Sequence, residues 1–144
     1  MKKSHGFTLL EIIIVLAIIT TLIMAGLVVY PSLQRRARDS SRKADLENIR
    51  SALELYRSKN SYYPVSLSEL TQGSLYLQSI PTDPHYPTQT YTYVPKSGCD
   101  NSILLCTDYS IGAKLEIDPA VVCSLSINCG VASCNYCLGP YGQK

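Results

Sequence analysis

The sequence Gly6-Phe7-Thr8-Leu9-Leu10-Glu11 heads an apolar run that continues to Tyr30 and decides the fold of the chain. The run, residues 7–30, is long enough to cross a bilayer as a helix, which takes about 20 apolar residues. Glu11 is the single charge within it. A carboxylate in an apolar helix is costly in lipid and is usually paired or functional. We therefore expect a membrane-crossing helix with one functional acid near its start.

The six residues before the run form a short polar leader, residues 1–6, that contains Lys2 and Lys3. Positive charge on this side predicts a cytoplasmic N-terminus. Three arginines just beyond the run, Arg35, Arg36 and Arg38, oppose that orientation. The later cysteines favour it, because disulfides form in oxidising compartments. We expect a single membrane pass with the C-terminal part outside.

The N-terminus has three other interpretations: an ordinary secretory signal, a simple signal-anchor and a lipoprotein. An ordinary secretory signal would need a cleavage site of small residues after the apolar core, and Met24-Ala25-Gly26 is a poor one. A simple signal-anchor also remains open, whereas a lipoprotein would need a cysteine near the N-terminus. Neither open alternative explains Glu11, unless its carboxylate merely favours the positive end of the helix dipole.

The string from Gly6 to Glu11 resembles the processing motif of type IV pilins, type II secretion pseudopilins and competence pseudopilins. The resemblance implies that a membrane peptidase cuts after Gly6 and that Phe7 becomes a methylated N-terminus. It also implies that Glu11 pairs with the free amine of Phe7 in an adjacent copy. Opposite charges attract strongly in a low dielectric, so this pair would set the register between helices.

The same resemblance implies the function and the partners. The chain is expected to be a structural subunit of a type IV pilus for motility, adhesion or DNA uptake, with a type II secretion pseudopilin as the alternative. A monomeric, membrane-anchored Cys-rich binding module is a weaker alternative. Implied partners are further copies of the chain, the prepilin peptidase, an inner-membrane assembly platform and the membrane, and the filament would lie at the cell surface or in the periplasm. Binding to nucleic acid stays open, because a net charge of +2 is too small to argue for it.

A second helical segment is predicted after the apolar run, over residues 31–60. Pro31 predicts a kink or an interruption between the two segments. An apolar stripe then recurs at spacings of three, four and three residues: Leu46, Ile49, Leu53 and Tyr56. Pro64 forbids continuation of the helix.

The remaining residues, 61–144, predict a β-rich head. The segments Asn60–Pro64 and Pro81–Pro84 resemble the heads of pseudopilins. Alternating Tyr91 and Tyr93 predict one strand, and residues 106–117 predict a second. The tail, 131–144, is expected to be irregular. The predicted fold class is α+β, with a small antiparallel sheet against the long helix.

Six cysteines lie in this head: Cys99, Cys106, Cys123, Cys129, Cys134 and Cys137. Their even number in an exported head predicts disulfides. Cys99 and Cys106 bracket a hairpin loop and are the first expected pair, while the other four allow three pairings. A structural zinc site on those four is the alternative, based on one C-x-x-C spacing.

No catalytic constellation is visible, so we expect no enzyme activity, no cofactor and no metal. A calcium site is a weaker alternative, because four aspartates of the head could supply oxygen ligands: Asp83, Asp100, Asp108 and Asp118. Residues 34–59 are basic and the head is mildly acidic. These surfaces are expected to be solvated or to meet between neighbouring copies.

Overall fold

The computed structural model describes residues 7–119, 123 and 126–144. Gly6 and the rest of the leader therefore lie outside the described residues. The chain divides into two compact units, residues 1–35 and 36–144. The first unit contains the apolar part of the long helix, and the second contains the head.

The long helix, α1, spans Leu9–Asn60 and has 52 residues. It ends where the sequence predicts. It continues through Pro31, so that proline does not interrupt the helix, and the kink stays a prediction. Proline lacks the N–H that an interior helical position would donate, but the helix assignment runs on beyond it.

The second unit adds a short helix, α2, at Ser68–Thr71 and a four-stranded antiparallel sheet in the order β1-β2-β3-β4. The strands are β1 at Thr92–Pro95, β2 at Tyr109–Ala113, β3 at Tyr136–Gly139 and β4 at Gly142–Gln143. Ile111 of β2 pairs with Tyr93 on one side and Leu138 on the other. This arrangement confirms the predicted α+β class, with its small antiparallel sheet and its disulfides.

The head core forms between α1 and the sheet. The predicted stripe of α1 is buried, and Leu46, Ile49 and Leu53 have no exposed surface. They belong to one apolar cluster with Ile111 and Leu138. Burial of these side chains, at about 1.5–3 kcal/mol each, fixes the strands on the helix.

Two strand predictions were wrong. The tail predicted to be irregular holds β3 and β4, which pair with each other and with β2. The strand predicted over residues 106–117 is shorter, because only Tyr109–Ala113 form ladder pairs. The paired partner of β2 lies far along the chain, and local residue patterns do not report such pairing.

A second, smaller cluster holds four of the cysteines together with Ile127. Gly112 of β2 makes room for it, because a Cβ atom at that position would lie 2.9 Å from the Cys134 sulfur. A larger residue there would push the cysteine cluster away from the sheet.

Candidate functional site

The N-terminus of α1 is capped by reciprocal hydrogen bonds between Thr8 and Glu11. The Thr8 backbone N–H donates to Glu11 Oε2 at 2.9 Å, and the Glu11 backbone N–H donates to Thr8 Oγ1 at 3.3 Å. The Thr8 hydroxyl also donates to Glu11 Oε2 at 3.0 Å. This is a capping box, which satisfies two backbone donors that a helix start leaves unpaired. Glu11 therefore has a structural role within a single copy.

The Thr8-x-x-Glu11 spacing was missed as a capping signal, although it is readable from the sequence. From the sequence, the Glu11 charge was expected to pair with another copy or to favour the positive end of the helix dipole. In the structure the carboxylate still has free acceptor capacity, since Oε2 receives both contacts from Thr8.

The apolar half of α1 is exposed in a single copy of the chain. Every side chain from position 7 to position 37 is exposed, with Phe7 at 84% and Val28 at 81%. One stretch of this helix is apolar and long enough to cross a membrane, with a mean hydropathy of 3.0 and none of the stretch buried. A contiguous apolar surface of this extent needs lipid or other protein around it.

The structure brings Phe7 and Glu11 to the same end of α1, while Pro31 lies within the helix. Residue 26 has open space around it, because a Cβ there would meet nothing within 4 Å. The proposed cleavage point, Gly6, lies outside the described residues.

A buried arginine anchors the other half of α1 to the head. The Arg42 side chain is fully buried, and its Nε donates to Asp83 Oδ2 at 2.8 Å. Its guanidinium also donates to Asp39 Oδ1 at 2.8 Å and to Glu116 Oε1 at 3.2 Å. Asp39 in turn accepts the backbone N–H groups of Glu116 and Ile117, each at 2.9 Å. One guanidinium thus joins three segments that are distant in sequence.

The charges of this cluster stabilise each other. Arg38 donates two hydrogen bonds to Glu116, at 2.6 and 2.7 Å. The Arg38 and Arg42 guanidinium groups lower the pKa of Glu116 to about 2, against the opposing effect of burial. Burial disfavours charge on Arg42, but the hydrogen bonds that it donates to Asp83 and Asp39 outweigh this effect and raise the pKa of Arg42.

This arginine cluster was not predicted from the sequence. Its signal was present, because Asp39 and Arg42 continue the stripe of Leu46 and Ile49 at helical spacing. A charge on a buried stripe requires a partner, and here the partners are the carboxylates of Asp83 and Glu116.

Each of the four aspartates considered for calcium binds a different group of the chain. Asp83 binds Arg42, and Asp108 accepts from Lys144 Nζ at 2.7 Å. Asp100 accepts backbone N–H groups of its own loop, and Asp118 accepts from the Asn135 side chain. Within the described part of the chain, no three acids, histidines or cysteines form a candidate metal cluster.

All six cysteines are in disulfides: Cys99–Cys106, Cys123–Cys137 and Cys129–Cys134. The sequence had placed Cys99–Cys106 first and left the other pairings open. The four cysteines of the zinc alternative are thereby oxidised, and a disulfide sulfur is not the thiolate that zinc requires.

Comparison with known proteins agrees with this geometry. Residues 1–27 match the family described as prokaryotic N-terminal methylation motif. The chain is 37% identical over 98 residues to type II secretion system core protein G of Klebsiella pneumoniae. The aligned region covers 63% of this chain and 65% of that protein. The protein of the same name in Vibrio cholerae serotype O1 is 36% identical over 86 residues, 58% of this chain and 55% of that protein. The chain thus spans less than two thirds of the length of these relatives, and no solved structure matches it significantly.

Proposed function

Because this chain belongs to the family of type IV pilins and pseudopilins, we propose that it is a structural subunit of a type II secretion pseudopilus. The observation that carries the proposal is the uncovered apolar half of α1, headed by the Thr8–Glu11 capping box. Copies that pack these helices together bury the apolar surface that a single copy leaves open.

The relatives favour secretion over the surface pilus that was the first expectation. Those compared above all carry the name of a type II secretion core protein. A role in motility, adhesion or DNA uptake has no comparable support here. A pseudopilin role, the alternative expected from the sequence, is therefore the one proposed.

In this proposal the chain begins as a membrane-anchored precursor with its head outside the cytoplasm. The prepilin peptidase cuts after Gly6, and Phe7 is then methylated. An assembly platform in the inner membrane adds the mature subunit to a periplasmic filament. The Glu11 carboxylate accepts the Phe7 ammonium of a neighbouring copy, which selects the correct depth of insertion. The chain serves as a structural subunit and not as an enzyme.

The test is made on the native protein in its own host. Mass spectrometry of the membrane-extracted chain should show an N-terminal methylated Phe7. Deletion of the gene should reduce the release of exported proteins into the medium and leave twitching motility and DNA uptake intact. An uncut precursor contradicts the processing, and loss of motility with normal secretion contradicts the assignment to a pseudopilus.

A further inference from the structure

One loop of the head presents apolar side chains to solvent although it is tightly held. A disulfide joins Cys99 to Cys106 at the two ends of this Cys99–Cys106 loop. At its tip Ile103 is 94% exposed, and Leu104 and Leu105 are 48% and 46% exposed. Three consecutive exposed aliphatic residues form a patch of the kind that marks an interaction surface.

Hydrogen bonds within the loop and to Tyr63 hold the loop in place. Asp100 Oδ1 accepts the backbone N–H groups of Ser102 and Ile103, each at 3.0 Å. The Asn101 side chain donates to the Tyr63 carbonyl at 2.8 Å and accepts from the Cys106 N–H at 2.7 Å. The exposure of the tip therefore belongs to the fold itself, and a partner can bind it with little further loss of conformational entropy.

The same head carries an open groove along α1. It has a volume of about 450 Å³ and lies between α1 residues around Ala52 and Leu55 and the segment 76–79. Leu55 is 45% exposed there, and Lys59 Nζ lies 5.3 Å from the centre of the Tyr76 ring. We call this feature the α1 groove.

The loop and the α1 groove lie on different sides of α1. Arg57 donates to the Tyr63 hydroxyl at 3.0 Å, and the backbone of Tyr63 holds the loop. Leu55 lines the groove and is two residues from Arg57, so the two side chains project about 160° apart in a helix of 3.6 residues per turn. The loop and the groove of one copy therefore face different directions.

We propose that residues Ile103–Leu105 of one copy dock into the α1 groove of the next copy, an inference that rests on the proposed filament. Contact between two different patches of identical chains is heterologous, and it generates an open fibre when the rotation does not close. A groove and a loop on different sides of one helix fit that symmetry and do not fit a closed two-fold dimer.

Charge complementarity favours a second copy as the occupant of the groove. Backbone N–H groups, that of Ile103 first, lower the pKa of Asp100 and keep its carboxylate ionised beside the apolar tip. Lys59 supplies a cation at the edge of the groove. Docking brings these opposite charges together, and the chain itself supplies both partners.

Photo-crosslinking of the full chain in cells tests the contact. The photoreactive residue p-benzoylphenylalanine replaces Ile103, and cross-linked peptides are identified by mass spectrometry. We expect adducts between two copies that join position 103 to peptides containing residues 48–55 or 76–79. The matched control carries the probe at Val131, which is 85% exposed and lies outside the loop, and it should not label those peptides.

A third probe position distinguishes failure of the docking proposal from failure of the filament proposal. Leu16 lies on the exposed apolar half of α1, and a probe there should join copies wherever filaments form. Adducts at position 16 without groove adducts at position 103 overturn the docking proposal and leave the filament standing. Adducts from position 103 to lipid or to an exported protein overturn it too. If position 16 joins no copies, the filament proposal fails and the docking proposal fails with it.

A substitution gives a second measure. Ile103→Ser should weaken the association of copies about tenfold, as expected for one lost buried aliphatic contact. The yield of sheared filaments then falls, while Val131→Ser leaves it unchanged. Both side chains are exposed, so the head should fold in either variant, which the near-ultraviolet circular dichroism of its tyrosines checks. An undiminished filament yield with Ile103→Ser contradicts the proposal.

Discussion

At the scale of the residue, Glu11 meets two demands with one carboxylate. Within a copy, its oxygen caps the first turn of α1 through Thr8. Between copies, the proposed role needs its negative charge. Glutamine can replace glutamate in a capping box, but it carries no charge, so a single substitution separates the two roles.

We expect Glu11→Gln to prevent filament assembly while processing after Gly6 continues. Thr8→Ala is the matched control, because it removes the capping hydroxyl and keeps the charge, and it should still assemble. Sheared filaments are counted by electron microscopy, and the mass of the mature chain reports processing. Normal filaments from Glu11→Gln would show that assembly does not require the charge of Glu11.

At the scale of the element, α1 shows which features local sequence determines. The apolar run, the stripe from Leu46 to Tyr56 and the helix end near Asn60 were all readable, because each depends on residues close in the chain. Arg42 was missed, although it lies on the same stripe. Its partners, Asp83 and Glu116, are 41 and 74 residues away, and no local pattern indicates them.

The C-terminal strands, in contrast, could not be predicted from local sequence. β3 and β4 have four and two residues, too few for a clear alternation of apolar and polar positions. β3 pairs with β2, and its Cys137 is bonded to Cys123, so both contacts reach residues outside the strand itself. The sequence could predict that disulfides form in the head, but it could not decide which sulfurs meet.

The disulfide that holds β3 should contribute more stability than the smaller one beside it. Cys123 and Cys137 are 14 residues apart and Cys129 and Cys134 are 5 apart, so the first bond closes the longer loop. We expect Cys123→Ala/Cys137→Ala to lower the free energy of unfolding by about 3 kcal/mol. The matched pair Cys129→Ala/Cys134→Ala should lower it by about 2 kcal/mol.

Urea unfolding of the full chain in detergent, followed by tyrosine circular dichroism, measures both variants. Equal losses in the two variants would contradict the loop-length argument. No loss in the first variant would show that β3 is held by its ladder and its core contacts alone.

At the scale of the whole molecule, the head should lose stability in acid through Glu116. Its pKa is lowered from 4.5 to about 2, so its contribution is present above pH 4.5 and is lost as the pH falls towards 2. The contribution is at most about 3–4 kcal/mol, because each pKa unit corresponds to about 1.4 kcal/mol. We expect the native free energy of unfolding to fall over this window.

Glu116→Gln should remove this part of the pH dependence and lower stability at neutral pH. Arg38→Met tests the cause, because loss of its two hydrogen bonds should return the pKa of Glu116 towards 4.5 and flatten the same window. Urea unfolding at a series of pH values between 2 and 6 provides the measurement. A Glu116→Gln profile parallel to the native one would assign the acid sensitivity to other carboxylates.

The Arg42 cluster also determines how mechanical force would pass through the subunit. Tension along α1 reaches the segments around Asp83 and Glu116 through several charge-assisted hydrogen bonds that are loaded side by side. Bonds loaded in parallel must break together, whereas bonds loaded in series peel apart one at a time. We therefore expect the Arg42 cluster to help hold the head on α1 when force acts along the helix.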